Sequence, residues 1–170
     1  MIEIRKVTIT DLDQLQKIAR MTFSESFASY NTEDNMRKYL DEEFSTAKLK
    51  TELNDRNVEY YFATEDNNVI GYLKINLGEA QTELKEDNAV EVERIYVLRE
   101  FFGKKVGQIL YDKAVEIARQ KKADYIWLGV WEKNARAINF YKKNGLVEFD
   151  KHIFKLGEDL QTDIMMKWEL

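Results

Sequence analysis

Two stretches of this chain combine residue types and spacings that can do chemistry. The first, Tyr96 to Gly107 (YVLREFFGKKVG), joins an alternating strand-like run to a helical pattern through a glycine-containing loop. Backbone N–H groups at the start of a helix point outward without partners and attract anions. The loop is therefore a candidate phosphate cradle, and from its residues alone a tight strand-to-helix turn fits equally well. It is neither a G-x-x-x-x-G-K-[ST] loop nor a G-x-G-x-x-G turn. The second stretch, Trp127 to Asn134 (WLGVWEKN), leads into Ala135 to Gly145 (ARAINFYKKNG). Asn134 and Tyr141 lie two helical turns apart and share a face. Gly129 inside a strand pattern marks the close approach of a ligand or another backbone. Taken singly, Asn134 is a helix cap and Tyr141 a core aromatic. Between the two stretches in type, Glu91 and Glu93 stand on one face of VEVERIYV and offer carboxylates for base work.

Other chemistries fall away by composition. The 170 residues include no cysteine, which removes disulfides, thiol nucleophiles and thiolate metal sites. The single histidine, His152, cannot build a histidine-rich metal site. It lies in the alternating segment Lys151 to Lys155, where a half-buried strand histidine is expected, and no G-x-S-x-G elbow accompanies it. Twenty-six basic against 31 acidic side chains give a net charge of −5, without a basic stripe interleaved with aromatics, so no nucleic-acid partner is expected. That acidity serves solubility or attracts a cationic substrate. No apolar run approaches the ~20 residues of a membrane span, and the N-terminus has no secretory pattern. A soluble, cytoplasmic protein is expected, without a membrane partner.

These residues need a scaffold, and the pattern supplies one. Without repeats or linkers, residues 1–170 read as a single domain of mixed α/β class. Strands are expected at 2–7, 60–64, 69–76, 90–97, 125–131, 146–155 and 161–169. The second and third of these form a hairpin across Asp66-Asn67-Asn68. Tyr125 to Trp131, apolar throughout, predicts a central strand covered on both faces. Helical spacing marks 12–23, with Thr10 and Asp13 as its start, then 32–41, 46–54 and 106–118. A last helix opens at Asn134 and stops at Gly145.

Together, ERIYV, the loop FFGKKVG and N-x-x-A-x-x-x-Y-x-x-x-G resemble the GCN5-related N-acetyltransferase (GNAT) family, in its order and spacing. Within that family the chain is most similar to the bacterial PaiA-type spermidine/spermine N-acetyltransferases, through MTFSESF, NMRKYL, GYLKINLGEAQT, IWLGVWEKN, AINFYKKNG and LQTDIMMK. The resemblance implies the GNAT fold, a mixed sheet of about six to seven strands splayed at a cofactor cleft and flanked by helices. It implies acetyl-CoA as cosubstrate and no metal. The cofactor arm would pair with the backbone of Ile95, Tyr96 and Val97, and the pyrophosphate would rest on Phe102, Gly103, Lys104, Lys105, Val106, Gly107 and Gln108. Asn134 would bond the arm and Tyr141 would face the thioester sulfur. The family loop reads Q-x-x-G-x-G; here Phe102 takes the Gln position and Lys105 that of the first Gly.

A polyamine acceptor is the expectation, attacking the acetyl group directly in a ternary complex. Glu93 is the candidate base with Glu91 its competitor, a backbone N–H near Tyr96 would stabilise the oxyanion, and Tyr141 would be the acid. Glu25, Tyr30 and Trp131, with Phe27, Glu33, Asp34 and Glu132 beside them, could line an acceptor groove. Another small amine or a protein amine, or a non-catalytic acetyl-CoA sensor, are the alternatives. A monomer or a homodimer is expected.

Overall fold

The computed structural model describes all 170 residues. Seven strands, β1 (Ile2–Lys6), β2 (Val58–Glu65), β3 (Asn68–Leu77), β4 (Ala89–Val97), β5 (Tyr125–Trp131), β6 (Val147–Leu156) and β7 (Asp159–Glu169), form one sheet in the order β1-β2-β3-β4-β5-β7-β6. Five helices flank it: α1 (Leu12–Phe27), α2 (Glu33–Glu43), α3 (Thr46–Leu53), α4 (Val106–Gln120) and α5 (Ala135–Lys143). Asp66 and Asn67 both take positive φ, 52° and 66°, the geometry a two-residue hairpin requires between β2 and β3. The start of α1 differs from expectation. Asp11, not Asp13, closes the entry turn: its carboxylate accepts the Thr8 N–H at 2.9 Å and pairs with Arg5.

Alternation along the strands sends their side chains into two cores. Leu73, Ile75 and Val92 pack with Leu110 and Ala114 of α4, while Tyr60, Phe62 and Tyr72 pack with Leu15 and Phe23 of α1 and Leu49 of α3. Apolar residues of β5 are buried on both faces, as a continuous apolar run demands.

Two irregularities of β4 matter for function. Opposite β3, Arg94 aligns with Lys74 and Val92 with Ile75, which leaves Glu93 as an extra, bulged residue. The bulge shifts the alternation, so Val90, Val92, Ile95 and Val97 all reach the α4 core. Glu91, Glu93, Arg94 and Tyr96 are thereby gathered towards the α1–α2 side, where Arg94 lies over the Phe44 ring. On the opposite edge, β4 and β5 run parallel for only three pairs, Ala89 with Tyr125, Val90 with Ile126 and Glu91 with Trp127. Past Glu91 the sheet splits open.

Candidate active site

The split opens beside a cavity of about 360 Å³ whose walls come from β4, β5, β6, β7, α1, α2 and α5. Ile95, Tyr96, Asn134, Tyr141 and Trp131 all line it. The free edge of β4 is selective. The Leu98 N–H bonds Ile70 O, and a Cβ on Gly71 would come within 2.7 Å of Tyr96 O. Tyr96 therefore turns its backbone to β3, and by alternation Ile95 and Val97 turn theirs to the split. Of the three expected backbone partners, two face the cleft; Tyr96 instead presents its ring to the cavity.

The loop before α4 leaves a row of backbone amides unpaired, as an anion cradle requires. No backbone carbonyl accepts from the amides of Gly103, Lys105, Val106, Gly107 or Gln108. Those of Phe102 and Lys104 are committed to turn bonds with Arg99 O and Phe101 O, so these two expected partners drop out. Gly103 takes φ 83°, and a Cβ there or at Gly107 would meet nothing within 4 Å, leaving room for a ligand against the backbone. Lys105 takes φ 65° and ψ 17° at the helix N-cap, the left-handed conformation in which glycine is at ease. The fold keeps the backbone geometry of a glycine and places a lysine in it. Phe102, 40% exposed, is covered by the Arg136 guanidinium at 3.8 Å from its ring centre.

On α5 the structure shows Asn134 as a cap at the edge of the cavity. Its Oδ1 accepts the Ala137 N–H at 3.1 Å as a cap, and the residue lines the cavity. Tyr141 is buried against the cavity, and burial, with the nearby Tyr96 and Tyr111, pushes its phenol far above the ordinary range. It holds its proton throughout the neutral range.

The two strand carboxylates are unlike each other. Burial would raise Glu93, but Arg94 at 3.2 Å, Lys74 at 2.9 Å and the Asn76 amide at 2.7 Å outweigh it and hold the carboxyl at about 2. A carboxylate so held is a poor proton acceptor, and the environment does not suit the role of base that the sequence suggested. Glu93 instead balances two buried cations. Glu91 is raised by burial and by the charge of Glu93, yet its oxygens accept from Thr82 N, Thr82 Oγ1 and Asn76 Nδ2.

This cleft and cradle match a known family. The model of the acetyltransferase (GNAT) family covers residues 12–146. The chain belongs to the GNAT family. Over 98% of its length this acetyltransferase is 37% identical to an uncharacterised N-acetyltransferase of Lactobacillus delbrueckii subsp. lactis, covering 96% of that protein. It is 30% identical to a spermidine N(1)-acetyltransferase of Thermoplasma acidophilum, over 98% of this chain and 96% of the other. The crystal structure of a PaiA N-acetyltransferase from the same organism, in complex with coenzyme A, superposes with a TM-score of 0.83 at 26% identity, over 100% and 99% of the two chains. The protein is an acetyl-CoA-dependent N-acetyltransferase, and the unpaired cradle amides, with open space over Gly103 and Gly107, suit a pyrophosphate.

On the acceptor side of this acetyltransferase, sequence reasoning placed some residues and missed others. Trp131 lines the cavity, and Tyr30 stands edge-on to it at 4.9 Å while remaining 62% exposed. Glu25 does not reach the cavity. Its carboxylate accepts the Arg99 N–H at 3.0 Å and its carbonyl accepts from the Arg99 guanidinium, tying α1 to the β4–α4 loop. Residues not singled out are Asp163 of β7 and Glu83 of the β3–β4 connection, which bracket His152 in the cavity wall. No helix is long and apolar enough to cross a membrane.

Proposed function

We propose that this N-acetyltransferase acetylates a primary amine of a polyamine, of the spermidine/spermine class. The observation that carries the reading is the wall of the cavity. Five carboxylates, Glu43, Glu83, Glu91, Glu93 and Asp163, line it against two full cations, Arg94 and Lys155. Phe27, Trp131 and Phe154 add aromatic surface there, and a cation over such a ring gains about 0.5–2 kcal/mol. A chain carrying several ammonium groups suits that combination better than a neutral amine does. The name of the 30%-identical Thermoplasma relative points the same way.

In this reading the backbone edges of Ile95 and Val97 hold the cofactor arm. The amides of Gly103 and Lys105 to Gln108 hold the pyrophosphate, and Asn134 orients the arm beside its capping role. Acetyl-CoA supplies a thioester whose carbonyl carbon accepts the amine. Tyr141, kept protonated by its burial, is the donor for the leaving sulfur. Without a cysteine, transfer runs directly from thioester to amine. An alkylamine near a pKa of about 10.4 must first lose a proton, at about 4–5 kcal/mol at neutral pH, so the cavity needs a base.

Steady-state kinetics with a panel of amines tests the proposal. Spermidine and spermine are expected to give higher kcat/KM than a monoamine of equal length, and the advantage is expected to fall as salt screens the acidic wall. Equal values without salt dependence would move the acceptor to another amine. Tight acetyl-CoA binding with slow hydrolysis alone would make the protein a sensor.

A further inference from the structure

The cavity holds a second set of titratable groups, apart from the Glu93–Lys74–Arg94 network. His152 on β6 and Asp163 on β7 are register partners across the terminal hairpin. His152 Nε2 lies 3.6 Å from Asp163 Oδ2, and Nδ1 lies 3.6 Å from Glu83 Oε1. Nδ1 is buried and has no hydrogen-bond partner. The imidazole thus stands between two carboxylates, a few tenths of an ångström beyond hydrogen-bond contact with each. Exposure rises along the series, from 16% for the Asp163 side chain through 22% for His152 to 41% for Glu83. All three line the cavity, and Glu83 is the one most open to water.

Gly129 makes room for this arrangement. A Cβ on it would sit 3.2 Å from His152 Cε1 and 3.4 Å from Asp163 Oδ2. Gly129 belongs to the stretch of β5 past its last pair with β4, so the imidazole and the carboxylate lie over the strand that borders the split. Asn134 and Tyr141 line the same cavity.

We propose that Asp163 takes the proton from the acceptor ammonium, and that His152 and Glu83 carry that proton to water. The inference rests on the amine-acceptor reading above and adds its base. The N–H bond of the ammonium breaks, its electron pair stays on nitrogen, and the proton goes to Asp163 Oδ2. That pair then forms the C–N bond to the acetyl carbon as the C–S bond breaks, the sulfur takes a proton from Tyr141, and the second proton that the nitrogen loses on becoming an amide returns to the Tyr141 phenolate. Asp163 passes its proton to His152 Nε2; the ring releases one from Nδ1 to Glu83, which returns it to water. Exchange of the ring protons with water resets the tautomer.

The surroundings favour Asp163 over the strand carboxylates. Burial raises its carboxyl to about 6, with Glu83 adding to the effect and His152 opposing it. From β4, Tyr96 holds its own proton, and Glu93 and Arg94 are engaged with each other. Glu91 is tied to Thr82 and Asn76. Tyr141 of α5 stays neutral, and Lys155 of β6 lines the same cavity. A base near 6 is largely ionised at neutral pH and accepts a proton far more readily than one near 2.

The test is the pH profile of kcat/KM with spermidine and acetyl-CoA, or with the best amine of the panel if spermidine is not turned over. The parent is expected to lose activity below about pH 6. Asp163→Asn is expected to lower kcat by about 100-fold, to remove that acidic limb and to leave the KM for acetyl-CoA unchanged. His152→Ala opens a gap at the surface, and added imidazole is expected to restore its rate, which a packing role would not allow. Independently of turnover, spermidine titrated into the parent protein without acetyl-CoA is expected to move the ring signals of its only histidine in NMR. An Asp163→Asn protein that keeps both kcat and the acidic limb overturns the proposal. So does a His152→Ala protein with parental rate, or a histidine signal indifferent to saturating amine. Failure of spermidine alone as a substrate instead rejects the polyamine reading and leaves the base to be judged on the active amine.

Discussion

Replacing Lys105 separates the backbone of the phosphate loop from its charge. The residue sits at φ 65°, ψ 17° with its side chain exposed, and its carbonyl accepts the Ile109 N–H that starts α4. A non-glycine residue in this left-handed well costs about 1–2 kcal/mol. Glycine removes that cost but gives back about 0.5–1 kcal/mol through the larger freedom of its unfolded chain. Lys105→Gly and Lys105→Ala delete the same ammonium, so the difference between them isolates the backbone. Glycine is expected to be the more stable by about 0.5–1 kcal/mol, a few degrees in Tm for a chain of this size. Urea titrations of both variants at one salt concentration measure it. A glycine variant no more stable than the alanine variant would refute the strain. The charge is read separately by calorimetry with acetyl-CoA. Lys105→Ala is expected to bind about 1 kcal/mol more weakly than the parent at low salt, and the gap is expected to shrink at high salt. Parental affinity in both variants would remove the ammonium from the site.

Three further outcomes follow from the same geometry. Glu93→Gln leaves Lys74 and Arg94 buried with less opposing charge, and a loss of about 3–5 kcal/mol in denaturant titration is expected; a loss under 1 kcal/mol would mean the ion pairs are not what holds this wall. Asp163 has a folded-state pKa of about 6 against an ordinary 3.8. Its contribution to stability is therefore full below about pH 4 and lost as pH rises through 6, by at most about 3 kcal/mol. Asp163→Asn is expected to be more stable than the parent at pH 7 and to lose that advantage at pH 4; equal stability at both pH values would contradict the raised carboxyl. Tyr141→Phe is expected to lower kcat by about 100-fold while acetyl-CoA still binds by calorimetry, and an unchanged kcat where chemistry limits the rate removes Tyr141 as the acid.

Local patterns carried most of the fold. The seven apolar residues Tyr125 to Trp131 became the central strand β5, and Asp66-Asn67 made the hairpin turn. The unpaired amides before α4 were legible for the same local reason, since a glycine-bearing strand-to-helix junction leaves N–H groups without partners. What failed was parity along β4. Strict alternation of VEVERIYV puts Arg94 with Val92 and Ile95 with Glu93; the bulge at Glu93 reverses both. The adjacent charges Glu93-Arg94 inside an alternating strand were the available signal. Buried Lys74, 3% exposed in an apolar strand, was the other half of it, because such a lysine needs a carboxylate. The His152–Asp163 pair depends on the register of the β6–β7 hairpin, and no single strand reveals that. Glu25 showed its limits differently: helical spacing gives a face but not its partner, and here the partner is Arg99.

A structure of the protein with coenzyme A and spermidine tests the account most directly. The account predicts the cofactor arm in the split, bonded to the backbone of Ile95 and Val97, the pyrophosphate on the amides of Lys105 to Gln108, and a spermidine ammonium within hydrogen-bond distance of Asp163. Coenzyme A bound with the β4 edge left free, or spermidine held outside the cavity walled by Glu83, His152 and Asp163, would contradict it.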